Sequence, residues 1–185
     1  ITTPRDLGPS CLGTEKRCVA GSDSDCSRAK VCKKSGGCTA TAQGACAPGS
    51  DGDCKRSTDC SDSGNCALKG AACAPGSNTH CEDSTGCSDN GMCAYSSTYA
   101  KCIAGADDHC KNASVACSYQ GKCAAKNGEC VATSSQDCRS SGGCSAAGLC
   151  SLSGNACVAA TDADCRISSA CTKNGQCKAS GGRCI

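Results

Sequence analysis

The sequence predicts a small, irregular, disulfide-rich fold laid out as an elongated tandem-repeat array. Three observations predict it. The chain carries 26 cysteines in 185 residues, well above the roughly 8–10% that marks a disulfide scaffold. Its large aliphatic residues are five Leu, five Val and four Ile, joined by Met92 and three Tyr, with neither Phe nor Trp. The cysteines also recur at one spacing from end to end. Leu, Ile, Val and Phe make up 14 of the 185 residues, far below the roughly 20% under which a chain is expected to stay disordered. So small a core cannot offset roughly 1–2 kcal/mol of backbone entropy per residue. Covalent bridges must do so instead, each contributing about 3 kcal/mol when it closes a loop of about 15 residues.

The repeat has four cysteine positions. Cys18, Cys26, Cys32 and Cys38 are separated by seven, five and five residues. The same spacing returns at Cys46, Cys54, Cys60 and Cys66, and at Cys73, Cys81, Cys87 and Cys93. The fourth copy, Cys102, Cys110, Cys117 and Cys123, has one extra residue. Cys130, Cys138, Cys144 and Cys150 restore the pattern, and Cys157, Cys165, Cys171 and Cys177 complete it. Cys11 falls where the fourth cysteine of a preceding copy would sit, and Cys184 where the first of a following copy would sit. The expected organisation is an extended arm at 1–10 and an array at 11–185. Its copies run over about 18–45, 46–72, 73–101, 102–129, 130–156 and 157–183, a period of 27–29 residues typical of repeat proteins.

Local signals repeat with the cysteines. After the first cysteine, Ala47-Pro48-Gly49-Ser50 and Ala74-Pro75-Gly76-Ser77 read as type II turns. Before the second come acidic residues, Asp23 with Asp25, Asp51 with Asp53, Asp107 with Asp108, and Asp162 with Asp164. Basic residues often follow that cysteine, as at Lys55, Lys111, Arg139 and Arg166. An Asp N-cap and a single helical turn are expected there. Two residues before each fourth cysteine stands a glycine: Gly36, Gly64, Gly91, Gly121, Gly148 and Gly175. A glycine held at one register calls for positive φ, and a hairpin-like turn is expected between the third and fourth cysteines. The linkers between copies hold six to eight residues, the longest, 94–101, including Tyr95 and Tyr99.

Composition excludes several function classes. The net charge is +2 with both signs interspersed. No basic stripe or aromatic platform suggests nucleic acid, and no apolar run is long enough to span a membrane. Complete pairing of an even cysteine count needs an oxidising compartment, so the expected location is extracellular or cell-surface. The chain begins at Ile1 without Met or a leader; it reads as a mature or truncated form whose export signal is inferred.

Catalysis would need a free, activated thiolate, whereas every cysteine belongs to the framework. Zinc and iron–sulfur sites favour close cysteine pairs, and the shortest gap here holds five residues. His80 and His109 stand where other copies have Asp25, Asp53, Asp137 or Asp164. They are either metal or pH-sensitive contacts or polar fillers of a surface turn, and the filler is the favoured reading. The paired aspartates invite calcium, but no copy reaches the full calcium-loop pattern and capping explains them more simply. Asn112-Ala113-Ser114 is the only N-glycosylation sequon, with Asn112 as acceptor. Neither an enzyme nor a cofactor site is expected.

The run from Cys157 to Cys184, CVAATDADCRISSACTKNGQCKASGGRC, resembles cysteine-rich tandem repeats in predicted secreted proteins and lipoproteins of myxobacteria-like soil bacteria. The similarity covers nearly the whole chain from Cys11 on and implies export.

For connectivity, a unit starting at the fourth position, such as Cys11, Cys18, Cys26 and Cys32, is expected to pair first with third and second with fourth. That gives Cys11–Cys26, Cys18–Cys32 and a terminal Cys177–Cys184. One alternative closes Cys18 to Cys38 as a unit and leaves Cys11 and Cys184 to bond between chains; another is a sequential ladder. The pattern is cut open at both ends, so head-to-tail stacking is expected. Its arm, with Ile1, Pro4, Leu7 and Pro9, would lie over a neighbouring chain, and Ile185 would flank or receive it. The expected function is a structural subunit of an extracellular filament or surface layer, a homo-oligomer. The alternative is a stalk or adhesin module that recognises glycan or another cell.

Overall fold

The computed structural model describes residues 19–185. The arm with Ile1, Pro4, Leu7 and Pro9, and also Cys11 and Cys18, lie outside the described residues. The repeating module is two short helices followed by an antiparallel hairpin. The first module comprises α1 (Asp23–Arg28), α2 (Lys30–Ser35), β1 (Thr39–Ala40) and β2 (Cys46–Ala47). The second comprises α3 (Asp51–Lys55), α4 (Thr58–Ser63), β3 (Ala67–Lys69) and β4 (Ala72–Ala74). The third has α5 (Asn78–Glu82), α6 (Thr85–Asn90), β5 (Ala94–Ser96) and β6 (Lys101–Ile103). The fourth keeps one helix, α7 (Asp107–Lys111), before β7 (Ala124–Lys126) and β8 (Glu129–Val131). The fifth has α8 (Ser135–Ser140), α9 (Gly142–Ala147), β9 (Ser151–Ser153) and β10 (Ala156–Val158). The sixth has α10 (Asp162–Arg166), α11 (Ser169–Asn174), β11 (Ala179–Ser180) and β12 (Arg183–Cys184). The chain divides into two compact units, one running up to Thr85 and including Tyr95–Cys102, the other made of Gly86–Ala94 with Ile103–Ile185.

The sequence places the helix start one position late. The N-caps are Ser22, Ser50, Ser77, Ala106, Ser134 and Thr161, and in every one of these helices but α5 aspartates occupy the first turn behind them. The Ser50 hydroxyl accepts the Asp53 N–H, and Thr161 forms a reciprocal capping box with Asp164, satisfying N–H groups that a helix start leaves open. Pro48-Gly49 is not a type II turn, because Gly49 does not have positive φ. A Cβ there would collide with Thr39 Oγ1, so close packing rather than φ selects glycine.

The glycines before the fourth cysteines do adopt left-handed φ, from +68° to +76°. They do so as helix C-caps, and the hairpins lie in the linkers instead. Gly36 donates to the Cys32 carbonyl and Gly37 reaches back to the Val31 carbonyl at 3.2 Å, which closes the last turn of α2 in a Schellman arrangement. Asn65 to Asp59, Met92 to Gly86, Lys122 to Ala116, Leu149 to Gly143 and Gln176 to Ala170 repeat that long bond. In the fourth module the inserted residue widens the second helix into turns. Ser118 donates to the Ala113 carbonyl and Gln120 to the Val115 carbonyl, both five residues back, as in a π-bulge. The extra residue is absorbed there, and Cys117 still reaches Cys123.

None of the described cysteines is free, and their pairing corrects the expected interlocked scheme. Each second-position cysteine bonds the first-position cysteine of the next copy: Cys26–Cys46, Cys54–Cys73, Cys81–Cys102, Cys110–Cys130, Cys138–Cys157 and Cys165–Cys184. Third and fourth positions close on each other: Cys32–Cys38, Cys60–Cys66, Cys87–Cys93, Cys117–Cys123, Cys144–Cys150 and Cys171–Cys177. The bridges are therefore nested rather than crossed. Cys177 does not pair with Cys184, and Cys184 is not left over for a bond between chains. The physical reason is the hairpin, which turns the next copy's first cysteine back over the helix that carries the second.

Those bridges are the core. Cys26, Cys54, Cys81, Cys110, Cys138 and Cys165 are wholly inaccessible, while the large side chains of Ile167 and Ile185 stay 69% and 63% exposed. The small cluster of Ala104, Cys110, Ala113, Ala116 and Cys130, with Met92 and Ala125 against it, shows the pattern: sulfur and alanine fill the space that aliphatic side chains fill elsewhere.

Candidate functional site: the module and its junctions

Within a module, three polar devices tie the helices to the hairpin, to the loop ahead of them and to each other. The first helical residue takes a backbone N–H from the hairpin. Asp23 accepts from Ala40 at 2.7 Å, Asp51 from Leu68 at 2.7 Å, Asn78 from Tyr95 at 2.8 Å, Asp107 from Ala125 at 2.8 Å and Asp162 from Ala179 at 2.9 Å. The residue before the second cysteine latches the loop ahead of the helix. Asp25 Oδ2 accepts the Gly21 N–H, Asp53 Oδ2 the Gly49 N–H and Thr39 hydroxyl, and Asp164 Oδ2 the Ala160 and Thr161 N–H groups and Ser151 hydroxyl. Burial pushes the Asp53 carboxyl up, but the Gly49 N–H, the Thr39 hydroxyl and the Arg56 guanidinium together hold it below its ordinary value. Burial likewise raises Asp164, and the Ser151 hydroxyl with the Thr161 and Ala160 N–H groups outweighs it.

The third device escaped the sequence reading. Ser57, Ser84, Ser141 and Ser168 are buried, and each hydroxyl donates to the carbonyl of the second-position cysteine at 2.7–2.8 Å. Ser57, Ser141 and Ser168 also accept the N–H of the third-position cysteine. One hydroxyl thus joins two helices. The signal was present as a serine three residues after the second cysteine in four copies, with Ala29 and Ala113 in the other two.

Successive modules meet through the left-handed glycines. A Cβ at Gly36 would lie 2.8 Å from Cys73 Sγ and 2.9 Å from the Asp53 carbonyl oxygen. Only a bare Cα fits against the next module's bridge and helix. Gly64 meets Cys102 and His80 in the same way, Gly91 meets Cys130 and His109, Gly121 meets Cys157 and Asp137, and Gly148 meets Cys184 and Asp164. Hydroxyls reinforce these contacts: Thr58 donates to the Lys34 carbonyl, Thr85 to Asp62 and Ser169 to Ala146. In the widened fourth module, backbone replaces hydroxyl. Ser114 donates to the Ser88 carbonyl at 2.8 Å, and Val115 and Ala116 both donate to Asp89. Hairpin tips add a further bond. Ala20 donates to Gly44, Ala104 to Gly128, Ala132 to Asn155 and Ala159 to Gly182. Pro48 and Pro75 occupy that position in the other two copies and have no N–H to donate.

The residues singled out in the sequence fall into this scheme. His80 Nδ1 accepts the Gly76 N–H at 3.1 Å and His109 Nδ1 the Gly105 N–H at 3.3 Å. They do the work of the aspartate latch and carry their ring proton on Nε2 when they do so. Among the described residues no group of three or more His, Cys, Asp or Glu side chains gathers where an ion could sit; of the paired aspartates, Asp23, Asp25, Asp51, Asp53, Asp107, Asp162 and Asp164 already accept N–H bonds, and Asp108 pairs with Lys111. Asn112 is exposed at the end of α7, and Ser114 of its sequon hydrogen-bonds Asp89 at 2.9 Å. Ile185 exchanges two backbone bonds with Lys178, which extends the last hairpin. An open groove of about 340 Å³ is lined by Val31 and Ser35 of α2 and by small hairpin groups such as Ala47, Pro48, Ala71 and Ala72. No helix among the described residues is long and apolar enough to cross a membrane.

No family model matches this chain, and no curated protein and no solved structure gives a significant match. Its function is therefore argued from its own geometry. That geometry is a disulfide-stabilised repeat framework, which fits maturation in an oxidising compartment outside the cytosol.

Proposed function

We propose that the chain is a non-catalytic structural subunit of an extracellular filament or surface layer, assembled head to tail. One observation carries the reading. Five left-handed glycines each receive the bridge and helix carbonyl of a following module, so a single contact is repeated at one register along the described residues. Gly175 presents the same left-handed cap on α11. Such a contact does not close on itself and so propagates. The density of disulfides supports a location outside the cytosol.

Gly175→Asn tests it. Asn tolerates the left-handed cap but places a Cβ where that contact would form. Wild-type protein is expected to sediment as a concentration-dependent polymer and to form fibres under negative stain. The variant should keep its disulfides and remain monomeric. A wild-type protein that stays monomeric at all concentrations overturns the proposal, as does a variant that polymerises normally.

A further inference from the structure

Three Asn-Gly pairs occur in the described residues, Asn90-Gly91, Asn127-Gly128 and Asn174-Gly175, and the fold treats them differently. Asn-Gly is the pair in which the following amide nitrogen most easily reaches the side-chain carbonyl, because glycine offers no Cβ to block it. At Asn90 and Asn174 that nitrogen is engaged. Gly91 N–H donates to the Cys87 carbonyl at 2.8 Å and Gly175 N–H to Cys171 at 2.9 Å, each as the cap of a helix. Asn127 and Gly128 form the tip of the β7–β8 hairpin, both with positive φ, +52° and +82°. Asn127 is exposed, and among the described residues the Gly128 N–H donates to no protein acceptor.

We propose that Asn127 is a site of spontaneous covalent modification, through succinimide formation and hydrolysis. The Gly128 nitrogen, losing its proton, forms a bond to Asn127 Cγ. The bond from Cγ to the side-chain nitrogen breaks, and ammonia leaves with the proton it needs. Water then opens the five-membered ring at either carbonyl, giving aspartate or isoaspartate at 127 with no redox change. The isoaspartyl product adds a methylene to the main chain at the tip. That tip is a joint, since the Gly128 carbonyl accepts the Ala104 N–H at 2.9 Å and a Cβ on Gly128 would touch Ile103 at 3.4 Å. The new carboxylate also stands two residues from Glu129. The modification therefore adds negative charge and loosens the bond between this hairpin tip and Ala104. This inference is independent of whether the chain polymerises.

The test is storage of the oxidised full-length protein at mildly alkaline pH, followed by peptide mapping with mass detection of each Asn-Gly peptide. Asn127 should convert at least about fivefold faster than Asn90 and Asn174, the factor expected when one backbone hydrogen bond of about 1 kcal/mol must open first. In the reduced and alkylated chain the three should convert at comparable rates. Equal rates in the folded protein overturn the proposal. So does the same ranking in the reduced chain, because local sequence would then explain it. Amide exchange at Ala104 should rise in the converted fraction, and unchanged exchange would overturn the link to the joint.

Discussion

His80 accepts the Gly76 N–H through Nδ1 at 3.1 Å, in the place where Asp53 accepts from Gly49 at 2.9 Å. A neutral ring nitrogen and a carboxylate oxygen fill one structural role in neighbouring copies. The carboxylate is the stronger acceptor and also suits the first turn of a helix. His80→Asp should therefore tighten the latch by about 1 kcal/mol, seen as slower native-state amide exchange at Gly76. Faster exchange at Gly76 in the variant would show that the imidazole contributes packing that a carboxylate lacks.

Acid should act first on the carboxylate latches. Asp53 and Asp164 are held below their ordinary value of 3.8 when folded, so the unfolded chain binds more protons at low pH. Their stabilisation is complete above the ordinary value and is lost as pH falls from there through the folded value. After correction for intrinsic rates, exchange at Gly49 and Ala160 should accelerate across that window. Asp53→Asn should abolish the pH dependence at Gly49 and leave it intact at Ala160.

The two kinds of bridge differ in the loops they close. Cys54–Cys73 spans 19 residues and Cys60–Cys66 spans 6, which the chain-entropy relation converts to about 3 and about 2 kcal/mol. Replacing Cys54 and Cys73 together by Ala should destabilise the second module more than replacing Cys60 and Cys66, because it also opens a wholly buried position. Limited proteolysis at the β3–β4 hairpin reads the difference. Full reduction should leave a random coil by circular dichroism, since sulfur supplies the core. A cooperative melt of the reduced chain would contradict that account.

Gly36→Ala separates the two demands on the junction glycines. The substitution costs about 1 kcal/mol or more through positive φ alone. The Cβ must also displace the Asp53 carbonyl and the Cys73 sulfur. In the monomer, Gly175→Ala carries the φ term without the clash, as nothing lies within 4 Å. Gly36→Ala should therefore lower the melting temperature further than Gly175→Ala. Equal effects would mean that the junction yields without resistance.

Much of the fold was legible in particular residues. The left-handed φ at Gly36 and its five counterparts could be inferred because a bare Cα recurring at one register answers a backbone demand, and that demand is local. Aspartates near a helix start were legible for the same reason, with an error of one position because Ser50 or Thr161 caps more directly than the residue behind it. The role of Gly49 was misread. Pro-Gly suggests a turn, whereas the Thr39 side chain that excludes a Cβ lies ten residues away in sequence and beside it only in space. Ser57 went unnoticed because a serine between cysteines looks like a surface residue until both helices are seen to share its hydroxyl.

By itself the sequence determined the repeat, its period, the reliance on sulfur in place of aliphatic side chains and the oxidising setting that follows. These are matters of composition and spacing, which need no coordinates. Tertiary structure decided which cysteines meet. Cys54 is six residues from Cys60 and nineteen from Cys73, yet bonds Cys73 at a Cα separation of 5.4 Å, because the β3–β4 hairpin folds that strand back over α3. A disulfide requires two Cβ groups within a few ångströms and correctly aimed. That condition is set by where the chain turns, and the spacing of cysteines along it is silent on the matter.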